Sequence, residues 1–258
     1  MRYETIRLSD RGGVAVLTLN RPTVMNALDT RMRAEIAHAV AAAGATARVV
    51  VLTGAGRAFC SGQDLGDRAN AADLNLERVL RDEYEPMLRA ILDCPVPTIA
   101  AVNGPAAGAG ANLALACDVV IAAESAVFLQ AFARIGLIPD AGGTWRLPRQ
   151  VGLARAMGAA LFAEPVDART AAQWGMIWEA VPDDAFAEHW WARAQQLAVG
   201  PTAAYRAIKT ALRETFGNDL DAQLALEARL QGEAGRSRDF KEGVLAFLDK
   251  RAARFEGR

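Results

Sequence analysis

Apolar and polar positions alternate at the start of the chain. Tyr3, Thr5 and Arg7 face one way and Glu4, Ile6 and Leu8 the other, which predicts a strand. Gly12-Gly13 predicts a turn into a second strand, VAVLTL at 14–19. Asn20-Arg21-Pro22 ends it, because proline cannot continue a central ladder. Asp29 or Thr30 is placed to cap a helix running to about Ala43. Three short apolar runs follow, RVVVLTG at 48–54, TIAAVNG at 98–104 and DVVIAA at 118–123, each suited to a strand buried on both faces. Helical patterns at roughly 74–93 and 109–117 separate them, so the chain reads as an α/β fold around a mainly parallel sheet of crossover units. After about residue 190 the strand signals stop. PTAAYRAIKTALRETF, LDAQLALEARLQGEAG and SRDFKEGVLAFLDKR are three successive amphipathic helical patterns. The expected organisation is an α/β core over 1–190 followed by a helical region over 191–258, which packs on its own core or on a neighbouring subunit.

Composition narrows the chemistry. With 258 residues there is enough chain to bury a sizeable core. The 29 basic and 30 acidic side chains leave a net charge of −1, so neither a nucleic acid nor a membrane is the expected partner. Cys60, Cys94 and Cys117 form no paired spacing and read as reduced thiols of a cytoplasmic protein; no secretory signal opens the chain. His38 and His189 offer little for a zinc site or a histidine triad. Residues 94–117 carry no charge, yet Pro95, Pro97, Pro105 and many alanines make them a buried strand, a tight loop and a buried helix rather than a membrane span.

Two loops then stand out. TGAGRAFCSGQDL follows the 48–54 strand, and its small residues Gly54, Ala55, Gly56, Ala58, Ser61 and Gly62 let backbone amides approach a ligand. NGPAAGAGANLALACD follows the 98–104 strand, and Gly108-Ala109-Gly110 opens a helix whose free N–H groups and positive dipole end lie at Ala109. Each loop alone also reads as a tight turn. Together they could aim N–H groups at one thioester oxygen that becomes negative as the α-carbon loses a proton. Leu113 stands at the third position of a GxGxxG pattern, no GKS or GKT follows, and Ser61 lies outside GxSxG. A dinucleotide fold, a P-loop and a serine nucleophile are thereby disfavoured.

GAGRAFCSGQDL, AVNGPAAGAGANLALACDVVIAAESAVF and IGLIPDAGGTWRLPR resemble successive signature blocks of the enoyl-CoA hydratase/isomerase (crotonase) superfamily. LNRPTVMNAL near the start and WGMIWEAVP around 174–182 fit the same pattern, and the blocks occur in order over essentially the whole chain. The resemblance implies a spiral of ββα units with a C-terminal helical region, assembled as a trimer or a dimer of trimers. It implies an oxyanion hole from the main-chain N–H groups of Gln63 and Ala109, and CoA-binding backbone around Val24 to Ala27, Ala58, and Gly62 to Leu65. Asp64 would either touch substrate or hold its own loop. The substrate would be an acyl-CoA thioester, with no separate cofactor and no metal. Segment 238–258 would cover the CoA adenine, with Phe247 and Lys250 as its contacts.

The resemblance places the two glutamates of a typical hydratase at Asn112 and Phe132, neither of which is a general base. Asp140, in LIPDAGG, stands where several isomerases and dehalogenases of the superfamily carry their catalytic aspartate. Leu137, Ile138, Pro139 and Trp145 are apolar, as is Phe132 if it lines the same pocket, and burial among them would raise the carboxyl pKa. The alternative is that Asp140 only caps the helix starting near Gly142; Trp145 suits either an acyl pocket or the core. GQDLGDR (62–68), AAGAGANLAL (106–115), GLIPDAGGTW (136–145), WGMIW (174–178) and AGRSRDFKEGVLAFLDKR (234–251) are similar to the isomerases that rearrange a ring epoxide on an arylacetyl-CoA. Double-bond shifts in enoyl-CoA belong to the same chemistry. Hydration, dehalogenation and a non-catalytic RNA-binding role stay as alternatives, although the helix at 30–43 has only Arg31, Arg33 and His38 against Glu35. The acyl pocket is expected from residues 70–90 and 125–145 folded together.

Overall fold

The computed structural model describes residues 3–66 and 75–257. The readings that fall on Asp67, Arg68, residues 70–74 and Arg258 lie outside the described residues.

Strands β1 (Ile6–Arg11), β2 (Val14–Leu19), β3 (Val49–Gly54), β4 (Thr98–Val102), β6 (Val119–Ala123) and β9 (Glu179–Val181) form one sheet, in the order β1-β2-β3-β4-β6-β9. Only the β1–β2 pair is antiparallel; the other four pairings are parallel. The first strand begins at Ile6 rather than Tyr3, because Thr5 gives its N–H and hydroxyl to Glu35 instead of to a ladder. A second sheet, β5-β7-β8 (Ala106–Ala107, Val127–Leu129, Val166–Asp167), has no counterpart in the sequence reading, since two of its strands are only two residues long.

The main sheet is buried on both sides, which is why its strands read as continuous apolar runs. Leu17, Val50, Leu52, Ala100 and Val102 meet helices α1 (Thr30–Thr46), α3 (Glu85–Leu92) and α4 (Ala109–Ala116) on one side. Val14, Val49, Val51, Ile99 and Ile121 meet Phe186, Ala194 and Ala198 of α8 (Asp183–Ala198) on the other. Helix α8 runs through residue 190 and closes this second core. The helix α1 buries Met32, Ile36, Ala39, Val40 and Ala43, a helical stripe; Asp29 Oδ1 accepts from Met32 N–H as its N-cap.

The second helical stretch is one run of three parts: α2 (Leu76–Val79), a π-helical turn (Leu80–Tyr84) and α3. Such wide turns re-aim the side chains that follow. Helices α5 (Gly143–Val151), α6 (Leu153–Phe162) and α7 (Ala168–Gln173) precede β9. The chain ends in α9 (Thr202–Glu214), α10 (Leu220–Gly235) and α11 (Arg238–Leu248). Asp118 at the foot of β6 anchors α9 through Lys209 Nζ at 2.7 Å and Arg213 Nη2 at 2.5 Å. No described helix is long and apolar enough to cross a membrane.

Candidate active site

The two glycine-rich loops meet. Ala107 N–H donates to Cys60 O at 2.9 Å and Phe59 N–H to Pro105 O at 3.1 Å, so the segment after β3 lies along the segment after β4. The approach leaves no room for side chains. A Cβ on Gly62 would fall 2.8 Å from Ala107 O and 3.4 Å from Ala109 N, and one on Gly110 would fall 2.7 Å from Cys60 Sγ. The opening helix α4 is therefore pressed against the loop that carries Gln63.

Gln63 sits in a parallel bridge with Leu28. Leu28 N–H donates to Gly62 O at 2.7 Å and Asp64 N–H donates to Leu28 O at 3.1 Å. Successive peptide groups of an extended segment face opposite sides, so the Gln63 N–H points away from Leu28. Ala109 is the first residue of α4 and has no acceptor one turn back. Two main-chain donors thus lie on adjoining strands of backbone, one reinforced by a helix dipole. That arrangement can hold an oxyanion.

Side chains missed by the sequence reading fix this loop. Arg33, 2% exposed, donates to Gln63 Oε1 at 3.0 Å and Leu28 O at 2.6 Å, and pairs with Glu83 at 2.5 Å. The Tyr84 hydroxyl donates to the same Gln63 Oε1 at 2.6 Å. Asn26, fully buried, donates to Ala55 O, Ala58 O and Phe59 O. The only sequence signal was Arg33 beside the apolar stripe of α1, which looks like a solvated helix edge until the fold is known.

Asp64 holds its own loop: Oδ1 accepts from Gly66 N–H at 2.9 Å and Oδ2 pairs with Arg21 Nη1 at 2.7 Å. The hydrogen bond from Arg21 keeps its carboxyl below the usual range. Of the other residues carried over by resemblance, Ala27 and Ala58 are buried, whereas Val24 and Leu65 are exposed along the same rim. Cys60 is sealed in, and burial pushes its thiol up to about 12, so it stays protonated.

Asp140 does not cap a helix. The N-cap of α5 is Gly142, with no side-chain cap, and the Asp140 carbonyl rather than its carboxyl accepts from Gly143 N–H at 2.8 Å. Carboxyl atom Oδ1 is closed off from solvent and has no hydrogen-bond partner. Burial raises its pKa to about 6, opposed only by its own backbone N–H. Two of its sequence neighbours lie largely outward. Ile138 is 77% exposed and Trp145 47% exposed, and the Trp145 ring packs edge-on to Phe216 with the Arg149 guanidinium over its face. Groups from distant elements come near it: burial pushes the Tyr84 phenol up, with the Asp140 charge adding to the rise, and Asn112 donates to the Asp140 carbonyl.

Phe132 is buried with its ring over Gly108, where an added Cβ would meet Cζ at 3.7 Å. Asn112, fully buried, spends its amide on Asp140 O at 2.8 Å and on Gln130. Neither supplies a carboxylate beside Asp140. Among the described residues no group of three or more His, Cys, Asp or Glu could hold a metal ion.

The sequence and the α/β core followed by helices are matched throughout by known proteins. The enoyl-CoA hydratase/isomerase family model matches residues 9–258. A Rhodobacter capsulatus protein named "Probable enoyl-CoA hydratase" is 66% identical over 258 residues, all of both chains. The 1,2-epoxyphenylacetyl-CoA isomerase of Escherichia coli K12 is 48% identical over 253 residues, 95% of this chain and 96% of that one. The crystal structure of an enoyl-CoA hydratase from Bacillus anthracis superposes with a TM-score of 0.91 at 33% identity, covering 99% of this chain and 100% of the other. This chain belongs to the enoyl-CoA hydratase/isomerase (crotonase) superfamily and has its fold. It is an enzyme of that family.

Proposed function

We propose that this enzyme is an isomerase of acyl-CoA thioesters, in which the main-chain N–H groups of Gln63 and Ala109 hold the thioester oxyanion and Asp140 carries the proton. The observation that carries the reading is the buried, unpartnered Oδ1 of Asp140; the family resemblance places a hydratase's two glutamates at Asn112 and Phe132, which supply no carboxylate. One base without a second carboxylate suits a reaction that returns what it removes. Asp140 as carboxylate takes a proton from the α-carbon of a 3-enoyl thioester, and the electron pair moves onto the carbonyl oxygen between the two N–H groups. The enolate then collapses, and Asp140 gives the same proton to the γ-carbon, leaving the 2-enoyl isomer. No atom is gained or lost.

The specific substrate proposed is 2-(1,2-epoxy-1,2-dihydrophenyl)acetyl-CoA, whose rearrangement to the oxepin isomer is likewise atom-neutral; double-bond isomerisation of enoyl-CoA accompanies it. Identity of 48% to the E. coli isomerase over nearly the whole chain supports this choice. Phe132 over Gly108 supplies an aromatic wall for a ring. CoA would lie along Val24 to Ala27, Ala58 and Gly62 to Leu65, its adenine under Phe247 and Lys250, and no separate cofactor is needed. Assembly as a trimer or a dimer of trimers is part of the proposal, supported by exposed Ile135, Ile208, Leu212 and Leu224.

Hydration is the second reading, favoured by the name of the R. capsulatus relative. The test is a substrate panel of epoxyphenylacetyl-CoA, 3-enoyl-CoA and 2-enoyl-CoA with purified protein. Isomerisation of the first two that disappears in Asp140→Asn supports the isomerase. Hydration of 2-enoyl-CoA as the fastest reaction would overturn it.

A further inference from the structure

We infer that the buried Asn112–Gln130 amide pair is the positioning element that fixes Asp140 relative to the oxyanion donors. The inference rests on the reading of Asp140 as proton carrier. Asn112 lies on α4, three residues after Ala109, so one helix turn carries both an oxyanion donor and the side chain that reaches Asp140. Its Nδ2 donates to Asp140 O at 2.8 Å. Its Oδ1 accepts from Gln130 Nε2 at 2.9 Å, and Gln130 Oε1 faces Nδ2 at 3.4 Å. Neither amide is free to turn: Asn112 is fully buried, Gln130 is 4% exposed, and a Cβ on Gly143 would fall 2.8 Å from Asn112 Cγ. Two side-chain amides locked in this way restrict Asn112 to one rotamer, and that rotamer sets where the Asp140 peptide lies.

The peptide needs such a tie. The segment Gly136–Asp140 has no helix or strand of its own, Ala141 has a φ of 49°, and Ile138 projects into solvent. Apart from Gly143 N–H, the Asn112 amide is the partner that joins the Asp140 carbonyl to the core. Proton transfer is steep in distance, and misplacement of about 1 Å can cost on the order of a hundredfold in rate.

A loosened loop would also let water reach the carboxyl. The charged groups flanking it do not compete for this effect. Arg134 on the turn before the loop donates to Ala163 O, Arg146 on α5 donates to Leu115 O, and Tyr84 from the π-helical turn donates to Gln63.

The test uses full-length Asn112→Ala and Gln130→Met, assayed with trans-3-hexenoyl-CoA and 2-(1,2-epoxy-1,2-dihydrophenyl)acetyl-CoA, with Asp140→Asn as control. In Asn112→Ala we expect kcat to fall by about tenfold or more while KM stays within about threefold. The acidic limb of kcat/KM moves to lower pH by about half a unit or more, as the carboxyl regains solvent. Gln130→Met shifts both in the same sense by less. A fall in kcat with an unmoved limb marks a merely structural role and overturns the inference, as does wild-type behaviour in both variants. If Asn112→Ala does not fold, Gln130→Met, which keeps the side-chain length, decides by the same criteria. A fully active Asp140→Asn overturns the proton-carrier reading instead; an inactive one beside wild-type Asn112→Ala and Gln130→Met overturns only the positioning.

Discussion

The Tyr84 hydroxyl donates a 2.6 Å hydrogen bond to Oε1 of Gln63, the residue whose main-chain N–H is the proposed oxyanion donor. Arg33 Nη1 donates to the same oxygen from the other side, at 3.0 Å. A side chain from the π-helical turn and one from α1 thus hold the glutamine in place, and the loop segment behind an oxyanion donor is fixed by tertiary contacts.

Tyr84→Phe removes one of the two donors and leaves the ring. Loss of one such hydrogen bond is worth about 0.5–1.5 kcal/mol, so kcat/KM is expected to drop by roughly two- to tenfold with the melting temperature nearly unchanged. Steady-state kinetics beside a thermal melt checks this, and an unchanged kcat/KM would remove Tyr84 from the account of the oxyanion loop.

Arg33→Met leaves the partly buried Glu83 without its partner, beside an apolar chain, and strips Gln63 of its second donor. Breaking a buried pair by removing one partner costs about 3–5 kcal/mol. Glu83 is only partly buried, so the lower end of that range is expected in urea unfolding.

Asp140→Asn keeps the shape of the site and removes its base. General acid–base catalysis is worth about a hundred- to ten-thousandfold, and a loss of that order in isomerisation is expected. In the proposed site the thioester is held by main-chain donors, so calorimetric affinity for a non-reactive acyl-CoA should stay within about threefold. Full activity in this variant would falsify the assignment.

Asp140 also makes stability depend on pH in an unusual direction. Its folded pKa is raised from 3.8 to about 6, so folding favours the neutral acid. Below 3.8 the group is neutral in both states and costs nothing. As pH rises through 3.8 to 6 the unfolded chain ionises first, and stability falls; above about 6 the cost is fully present. Asp140→Asn should therefore raise the melting temperature at pH 7.5 more than at pH 4. The wild-type kcat/KM should fall below about pH 6, where the base becomes protonated.

Gly110→Ala would force its Cβ into Cys60, 2.7 Å from the sulfur and against the carbonyl oxygen. Backbone cannot yield as a flexible side chain does. Overpacking of this kind costs about 1–3 kcal/mol, and the two donor loops would separate. Loss of both melting temperature and kcat is expected, and wild-type activity would show that the loops need not touch.

The strands of the main sheet were legible because parallel strands covered on both faces must be apolar throughout, and Val49–Gly54 and Thr98–Val102 came out where the apolar runs lie. The glycine loops at Gly62 and Gly108–Gly110 were legible for a related reason, since only small residues allow two backbones to approach. The second sheet was not, because strands of two residues carry no period. Nor was α8's role, whose apolar residues meet strands over a hundred residues earlier.

Asp140 shows the division most clearly. The sequence by itself determined which residue types were present: one aspartate in LIPDAGG, and Asn112 and Phe132 rather than glutamates. It pointed to Leu137, Ile138, Pro139 and Trp145, with Phe132 if it lined the same pocket, as the dry surroundings. The tertiary structure turned Ile138 and Trp145 outward, brought Tyr84 and Asn112 from distant elements, and left Oδ1 without a partner. Desolvation and hydrogen-bond reach are properties of three-dimensional neighbours. For that reason the chain dictates which carboxyl is present, and only folding decides that one of its oxygens is closed off from solvent without a partner.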